Sequence, residues 1–449
     1  MAQLYPFTDP VVALENRPKM IVAGRGCYVT DSNGKTYLDA VAGLWCVALG
    51  FDNQRLISAA MDQMQQLPYY HSFMGRTTGI TEELASRLAD KLPPGIDHLF
   101  FACSGSEAVD TAAKLMRFYQ NARNKPDKKK IVARHGAYHG SGHTSAALTG
   151  ITYCHAGFDL PDPNTLRTGR PHYYADANPG ESEIDFSKRR ARELDELIRK
   201  ADPDTVGAFI GEPVMGAGGV ILPPEGYWEE IQNVLHRHDI LLIADEIITG
   251  FGRTGAWFAC EKYGIQPDMI TLAKQLSAAY FPISAVGISQ TVQKTIAAKA
   301  HEFGILGHGF TYGGHPVGAA VALEALRIYE EMELPQHVER LSSYLASKLE
   351  TITMLDAVGD VRITGLMAGI ELIDTTELGQ NFSKKVAEEA EARGVLFRVI
   401  ENVLAISPPL NVLKTELELI VDVLRDSILF VVEHDGSLSG HEIGKTKRV

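Results

Sequence analysis

Only five cysteines, Cys27, Cys46, Cys103, Cys154 and Cys260, are scattered through 449 residues, odd in number and without a CxxC pair. That spacing offers neither a disulfide framework nor a zinc knuckle, and it suits reduced, packed thiols. Positive charge is also short: 43 Lys and Arg stand against 56 Asp and Glu, a formal charge of −13. This balance argues against a nucleic-acid or anionic-membrane partner, so any anion must be held by local geometry. No apolar stretch reaches the roughly 20 residues that span a bilayer. The opening MAQLYPFTDPVV has neither a basic n-region nor an apolar h-region, and residence in the cytoplasm is the expectation. Internal repeats are missing too.

What is present describes a globular α/β chain, long enough for two domains or for one with a large extension. Short apolar runs, HLFFA (98–102), KIVA (130–133), VGAFIGE (206–212), ILLIADE (240–246) and MITLA (269–273), alternate with amphipathic segments. Such alternation predicts a mostly parallel sheet covered on both faces. Helical patterns fall at 106–122, with Ala108, Ala112, Leu115 and Tyr119 on one face, and at 191–200, with Leu194, Leu197 and Ile198. A large domain is expected over residues 55–320. Turn signals at Asp31 to Gly34 mark a small meander ahead of it. Beyond it, one long helical pattern from Pro316 to Leu349 leads to strand-like pieces at MAGIELI and VLFRV and a helix over 414–425. The ends, 1–54 and 321–432, are expected to join in a smaller domain, and 433–449 to be a mobile tail.

Three features carry chemistry. Ser104-Gly105-Ser106 follows HLFFA and opens a helix, so amides and hydroxyls converge at a helix N-terminus sized for a phosphate. The plainer reading is an ordinary cap supplied by Ser106. Asp245 ends a strand buried on both faces, at the sheet edge where open α/β sheets bind ligands; alone, it is as easily a cap or an ion-pair member. Lys274 ends PDMITLAK, where a lysine snorkels out, pairs with an acid or stays neutral. Together, phosphate cradle, strand-end acid and strand-end amine match the phosphate, ring nitrogen and aldehyde of pyridoxal 5′-phosphate (PLP). Tyr138, after KIVA, adds an aromatic face for a flat ring, though by itself it would pass for a core tyrosine.

With those residues in place, the chain resembles the class III aminotransferases, in their ω-amino acid and amine:pyruvate transaminase branch. The matching motifs are FTD (7–9), AGLWCVALGF (42–51), LPYYHSF (67–73), SGSEAVDT (104–111), AYHG (137–140), GEPVMGAGGVILPP (211–224), ADEIITGFGRTG (244–255), TLAKQLS (271–277), HGFTYGGHP (308–316) and ISPPL (406–410). The resemblance implies the PLP-dependent transferase fold type I: a large domain with a mostly parallel, seven-stranded sheet covered by helices, and a smaller α+β domain from both chain ends. It implies Lys274 and Asp245 as catalytic residues, the lysine carrying PLP as an aldimine and the aspartate meeting the ring nitrogen. Ser104, Gly105 and Ser106 would hold the phosphate together with the partner subunit's Thr311. Tyr138 and Ile247 would lie against the two ring faces, His139 would be among the cofactor-binding residues, and Glu212 would line the site. Arg398 would swing in for a carboxylate and out for an apolar group, and Trp45, Tyr153, Phe7, Phe73 and Met74 would wall the substrate pocket.

The implied reaction is ping-pong transfer from an ω-amino acid or amine (β-alanine, diamine, taurine or arylalkylamine type) to pyruvate, giving alanine, in a homodimer with shared sites or a tetramer. Cys103, Gly313, Gln275, Met74 and Ser141 depart from the usual pattern and bear on donor choice. An aminomutase, decarboxylase or racemase of the same fold would share cradle, acid and lysine, but the Arg398 and pocket-wall matches favour transfer. A dehydrogenase, suggested by GAGG at 216–219, fails because no GxGxxG opens a helix and Pro223 and Pro224 follow. A non-catalytic scaffold is hard to reconcile with the lysine motif. No metal is expected: His135, His139 and His143 are four apart, but Gly136, Gly140 and Gly142 oppose the helix that would align them, and His301, His308 and His315 are spread through a glycine-rich loop. The basic run KPDKKK (125–130) reads as a solvated connection.

Overall fold

The computed structural model describes residues 3–373 and 381–434. Near the start, β1 (Ile21–Arg25), β2 (Tyr28–Asp31) and β3 (Thr36–Asp39) form an antiparallel meander. Its second turn closes because the Asp31 carboxylate accepts the Asn33 and Lys35 amides, while Gly34 takes a φ of 82°, which glycine adopts at no steric cost.

Seven strands then build the large sheet: β4 (Ile96–Ala102), β5 (Lys130–Arg134), β6 (Thr165–Thr168), β7 (Val206–Gly211), β8 (Leu241–Asp245), β9 (Met269–Leu272) and β10 (Ser284–Ser289). Their order is β4-β10-β9-β8-β7-β5-β6. Only β10 runs against the rest. Every residue of β7, β8 and β9 is buried, which is why these strands are unbroken apolar runs: helices cover both faces of a parallel sheet. The five apolar runs are β4, β5, β7, β8 and β9. The edge strand β6, with its polar TLRT, and the antiparallel β10 complete the sheet without having stood out in the sequence.

The rest of the described chain holds β11 (Val358–Ile363), β12 (Ala368–Leu372), β13 (Val395–Leu396), β14 (Arg398–Ile400) and β15 (Val403–Ile406). A third sheet runs β11-β12-β15-β14, while β13 pairs in parallel with β3. Hydrogen bonds from Ser407 N to Ala40 O (2.6 Å) and from Leu410 N to Ala48 O (2.8 Å) tie the two ends of the chain further. Arg362 fastens this sheet to the large domain, donating to the Gly219 and Val220 carbonyls while pairing with Asp360 and Glu371 at 2.6 Å each. Buried His172 stands 3.1 Å from Glu371, without the alignment of a hydrogen bond. His172, Asp360 and Glu371 lie close enough to share a cation, but the Arg362 guanidinium already supplies that charge.

Three expectations are corrected. The helical pattern from Pro316 to Leu349 is two helices, Pro316–Glu331 and Leu334–Thr353. Glu333 turns left-handed at φ 48°, and Pro335, tolerated only in a first turn, cannot continue a helix from before it. The first of the pair runs through the expected division at 320 and packs on the helices Gln54–Gln66 and Gly79–Ala89. The basic run 125–130 is not wholly solvated: Lys128 is buried and its ammonium donates to the Val206, His238 and Asp239 carbonyls. Three acceptors match its three protons. The last helix, Lys414–His434, outruns the expected 425 and takes in the first two residues of the expected tail; the others, 435–449, lie outside the described residues. Among the described residues no helix is long and apolar enough to cross a membrane.

Candidate active site

The carboxyl ends of five parallel strands meet at one edge of the large sheet, where a ligand crevice forms in open α/β folds. Ser104, Gly105 and Ser106 follow β4, Tyr138 and His139 follow β5, Glu212 follows β7, Asp245 ends β8 and Lys274 follows β9. All line one cavity of about 350 Å³, a size typical of small-molecule sites.

Ser104, not Ser106, caps the helix Gly105–Ala122: its hydroxyl accepts the Glu107 amide, and the Glu107 carboxylate accepts the Cys103 and Ser104 amides. This is a capping box. Capping from position 104 frees Ser106, whose Oγ accepts the Ser141 amide at 2.9 Å. The Gly105 and Ser106 amides belong to the first turn, which has no acceptors inside the helix and favours an anion. A Cβ on Gly105 would come within 2.9 Å of Ile247, so glycine is what lets the helix end close on that wall.

Asp245 is held on both oxygens. Oδ2 meets His139 Nδ1 at 2.7 Å, while Oδ1 accepts the Ile247 amide (3.2 Å) and the Thr271 hydroxyl (3.1 Å). Facing a carboxylate, Nδ1 carries the proton. The buried His139 Nε2 has no partner, which in a native site marks a place for a polar group. Glu212, its pKa raised by burial, accepts the Tyr138 and Gly216 amides and so ties the turns after β5 and β7 together. Lys274 opens to the cavity but is packed around by protein. Burial pushes its amine down to about 8, against the pull of Cys46, Asp245 and Glu212, and Arg398 pushes the same way as burial. Its φ of 48° costs a non-glycine residue about 1–2 kcal/mol, strain of the kind that gathers at functional sites.

The substrate residues fall into three groups. Phe7, Tyr138 and Tyr153 stand edge to face, with ring centroids 6.3–6.4 Å apart, and Arg398, close enough to influence Tyr153 and Lys274, lies beside them on β14. Phe73, Met74 and Thr311 are exposed and lie outside this chain's own cavity; the Thr311 carbonyl accepts the Tyr69 hydroxyl at 2.6 Å. Trp45 is buried against Val214, Val220, Ile248, Met367 and Ala405, and its neighbours Leu44 and Cys46 line the cavity instead. A kink explains the exchange, with Ala42, Gly43 and Trp45 left-handed at φ 49°, 66° and 64° and Leu44 out of helical conformation. Pro282 and Ile283 also line the cavity. They went unmarked because only the antiparallel direction of β10 brings its start to this edge. Cys46, called a packed thiol in the sequence, had the neighbouring Trp45 as its one signal.

A flat, anionic, carbonyl-bearing ring such as PLP fits this donor set: first-turn amides for a phosphate, the orphaned His139 nitrogen and the Asp245 carboxylate for the ring, and an amine with a depressed pKa for the aldehyde. Comparison with known proteins agrees. The sequence profile of the family Aminotransferase class-III matches residues 12–428. Gamma-aminobutyrate transaminase 1, mitochondrial, of Oryza sativa subsp. japonica is 43% identical over 432 residues, 95% of this chain and 84% of that protein. The ω-transaminase from Pseudomonas jessenii, solved in complex with PMP, superposes with a TM-score of 0.95 at 44% identity, covering 97% of both chains. A transaminase solved with L-Ala gives 0.90 at 43% identity, over 92% of this chain and 99% of that one.

Proposed function

Because the chain belongs to the class III aminotransferases, with PLP as cofactor and the fold of the ω-transaminases, we propose that it moves an amino group from an ω-amino acid or amine to pyruvate, giving alanine by a ping-pong cycle. β-Alanine, diamine, taurine and arylalkylamine types are the donor classes. The observation that carries this reading is Arg398: a guanidinium whose Nε is buried without a partner, near enough to the Lys274 amine to act on its charge. An unpaired guanidinium at the reacting amine asks for a carboxylate, which it grips through two parallel hydrogen bonds. Two relatives bear on the substrates: γ-aminobutyrate, named in the rice protein, is an ω-amino acid, and L-Ala is bound by one solved transaminase.

When bound, PLP supplies an aldehyde to take up the amino group and an electron-withdrawing ring to stabilise the carbanion at the donor carbon. Lys274 is the residue that would hold the aldehyde, and once freed it moves the proton at the donor carbon as a general base. A lysine with a pKa near 8 serves that task because an appreciable fraction is neutral near physiological pH. Asp245, fixed by His139 and Thr271, is the residue that would keep the ring nitrogen protonated. The Ser104–Ser106 turn would hold the phosphate, and Tyr138 and Ile247, which line the same cavity, would lie against the ring.

Assembly is a homodimer that shares its sites. Phe73, Met74 and Thr311 are then the residues a partner would receive; all three are exposed in the single chain, as are Met61, Met64, Tyr70, Ile305 and Tyr312. Five free thiols suit a reducing cytoplasm. The deciding experiment treats the holoenzyme with each donor alone, then with pyruvate or 2-oxoglutarate, following the cofactor band and alanine formation. Donor bleaches the band and pyruvate restores it as alanine appears. Restoration by 2-oxoglutarate alone would overturn the acceptor assignment.

A further inference from the structure

The strained backbone of Lys274, at a φ of 48°, is restrained through the next residue. Gln275 is fully buried. Its side-chain amide donates from Nε2 to the Ile248 carbonyl at 2.8 Å, and Oε1 has no partner. The opposite amide orientation would set two acceptors face to face, so this one is dictated. On the main chain, the Gln275 carbonyl accepts the hydroxyl of Tyr329 at 2.7 Å. Tyr329 sits fully buried on the helix Pro316–Glu331, where burial pushes its pKa up and keeps it a neutral donor. Ile248 in turn follows Ile247, whose amide is bound to Asp245.

We propose that Gln275 and Tyr329 are positioning residues that hold the Lys274 backbone in its left-handed conformation and clamp the lysine turn to the Asp245 loop. The side chain of Gln275 fixes the distance between the two loops, and the Tyr329 hydroxyl fixes the plane of the Gln275–Leu276 peptide, one residue past the lysine. Without them the turn relaxes to an unstrained conformation and the amine leaves the enclosed pocket for water. A small residue at position 275 could not reach Ile248, so this departure from the usual pattern has a function in this chain.

The inference rests on Lys274 being the cofactor lysine, but the amine is read with no cofactor present, so the two assignments fail separately. Full-length protein stripped of PLP is reductively methylated across a pH series, and Lys274 modification is followed by peptide mass spectrometry. The midpoint belongs to an amine facing Cys46, Asp245, Glu212 and Arg398, none of which is altered. In Gln275→Met and Tyr329→Phe it moves up from about 8 toward 10.5; a rise of one unit cuts the neutral fraction at pH 8 from about one half to about one eleventh, roughly a fivefold slowing. Tyr344→Phe, which loses a hydroxyl bonded to Glu418 far from the site, leaves the midpoint where it was. Tyr329→Phe removes a single oxygen and decides the matter if Gln275→Met does not fold. An unmoved midpoint in a folded variant overturns the role of that residue.

Discussion

Replacing Arg398 by Met tests the substrate assignment and its structural basis together. The guanidinium has a buried Nε without a partner and makes no ion pair among the described residues, so the substitution orphans nothing. Truncating an arginine that was already paired would strand its buried acid at a cost of about 3–5 kcal/mol; here the folded protein should keep its thermal midpoint. The loss falls instead on substrates with a carboxylate. Hydrogen bonds to charged groups contribute about 1.5–3 kcal/mol each, and two of them, discounted by about half for the open cavity mouth, leave about 1.5–3 kcal/mol. That corresponds to about a 10- to 150-fold lower kcat/KM for pyruvate. A simple arylalkylamine has no carboxylate to lose, and its half-reaction should slow by less than about threefold. Arg398→Lys keeps the charge but not the fork and should fall between. Stopped-flow absorbance of the two half-reactions separates donor from acceptor effects. Equal losses for both, or a large drop in thermal midpoint, would refute the reasoning.

Other outcomes follow from the same geometry. Lys274→Ala should abolish multiple turnovers and the covalent attachment of cofactor on borohydride treatment; turnover above trace would remove the lysine from its role. Loading of the parent with PLP needs the neutral amine, so its rate should climb with pH through about 8 and then level; at pH 7 the neutral fraction is about 300 times that of an ordinary lysine of pKa near 10.5. A climb continuing to 10 would contradict the burial of Lys274. In Gly140→Ala the new Cβ lies 2.9 Å from Ser106 Cα and 2.6 Å from its Oγ, at a φ of 139°. Overpacking of this kind costs about 1–3 kcal/mol, read as a 5- to 150-fold weaker PLP affinity, and an unchanged affinity would show the turn to be slack. For Glu371, burial works to raise the pKa, but His172 and Arg362 outweigh it and hold it down to about 2. A depressed carboxylate stabilises the fold above its unfolded pKa near 4.5 and loses that as pH falls toward 2, a contribution of about 3 kcal/mol. Glu371→Gln should therefore be less stable than the parent at pH 7 in urea, with the gap narrowing below pH 4; a constant gap would mean the contact is not electrostatic.

Much of this molecule is legible in one dimension, because the chemistry sits where regular elements end. A strand buried on both faces must be apolar throughout, so the charged or polar residue that stops each run marks the sheet edge: Asp245 after LLIA, Lys274 just after MITL, Glu212 after VGAFIG. The cradle was visible for the same reason, as glycine and serine between a strand and a helix, and the motif order supplied the family. The boundary at Glu333 and the burial of Lys128 were not, since one depends on a single backbone angle and the other on three carbonyls distant in sequence.

Pairing was beyond the sequence. Nothing in SAVGIS says that β10 runs antiparallel, yet that direction puts Pro282 and Ile283 on the cavity wall. Nothing in AGLWC says that three left-handed residues, Ala42, Gly43 and Trp45, turn the indole into the core and hand the cavity to Leu44 and Cys46. The sequence by itself determined which chemical groups exist and which cofactor they suit, since those follow from residue type and from the period of burial along each strand. The tertiary structure alone decided the pKa of Lys274, the unpaired state of Arg398 and the restraint of the lysine turn by Gln275 and Tyr329. Each of these depends on distances between residues tens to hundreds of positions apart, and electrostatics and close packing act through space, not along the chain.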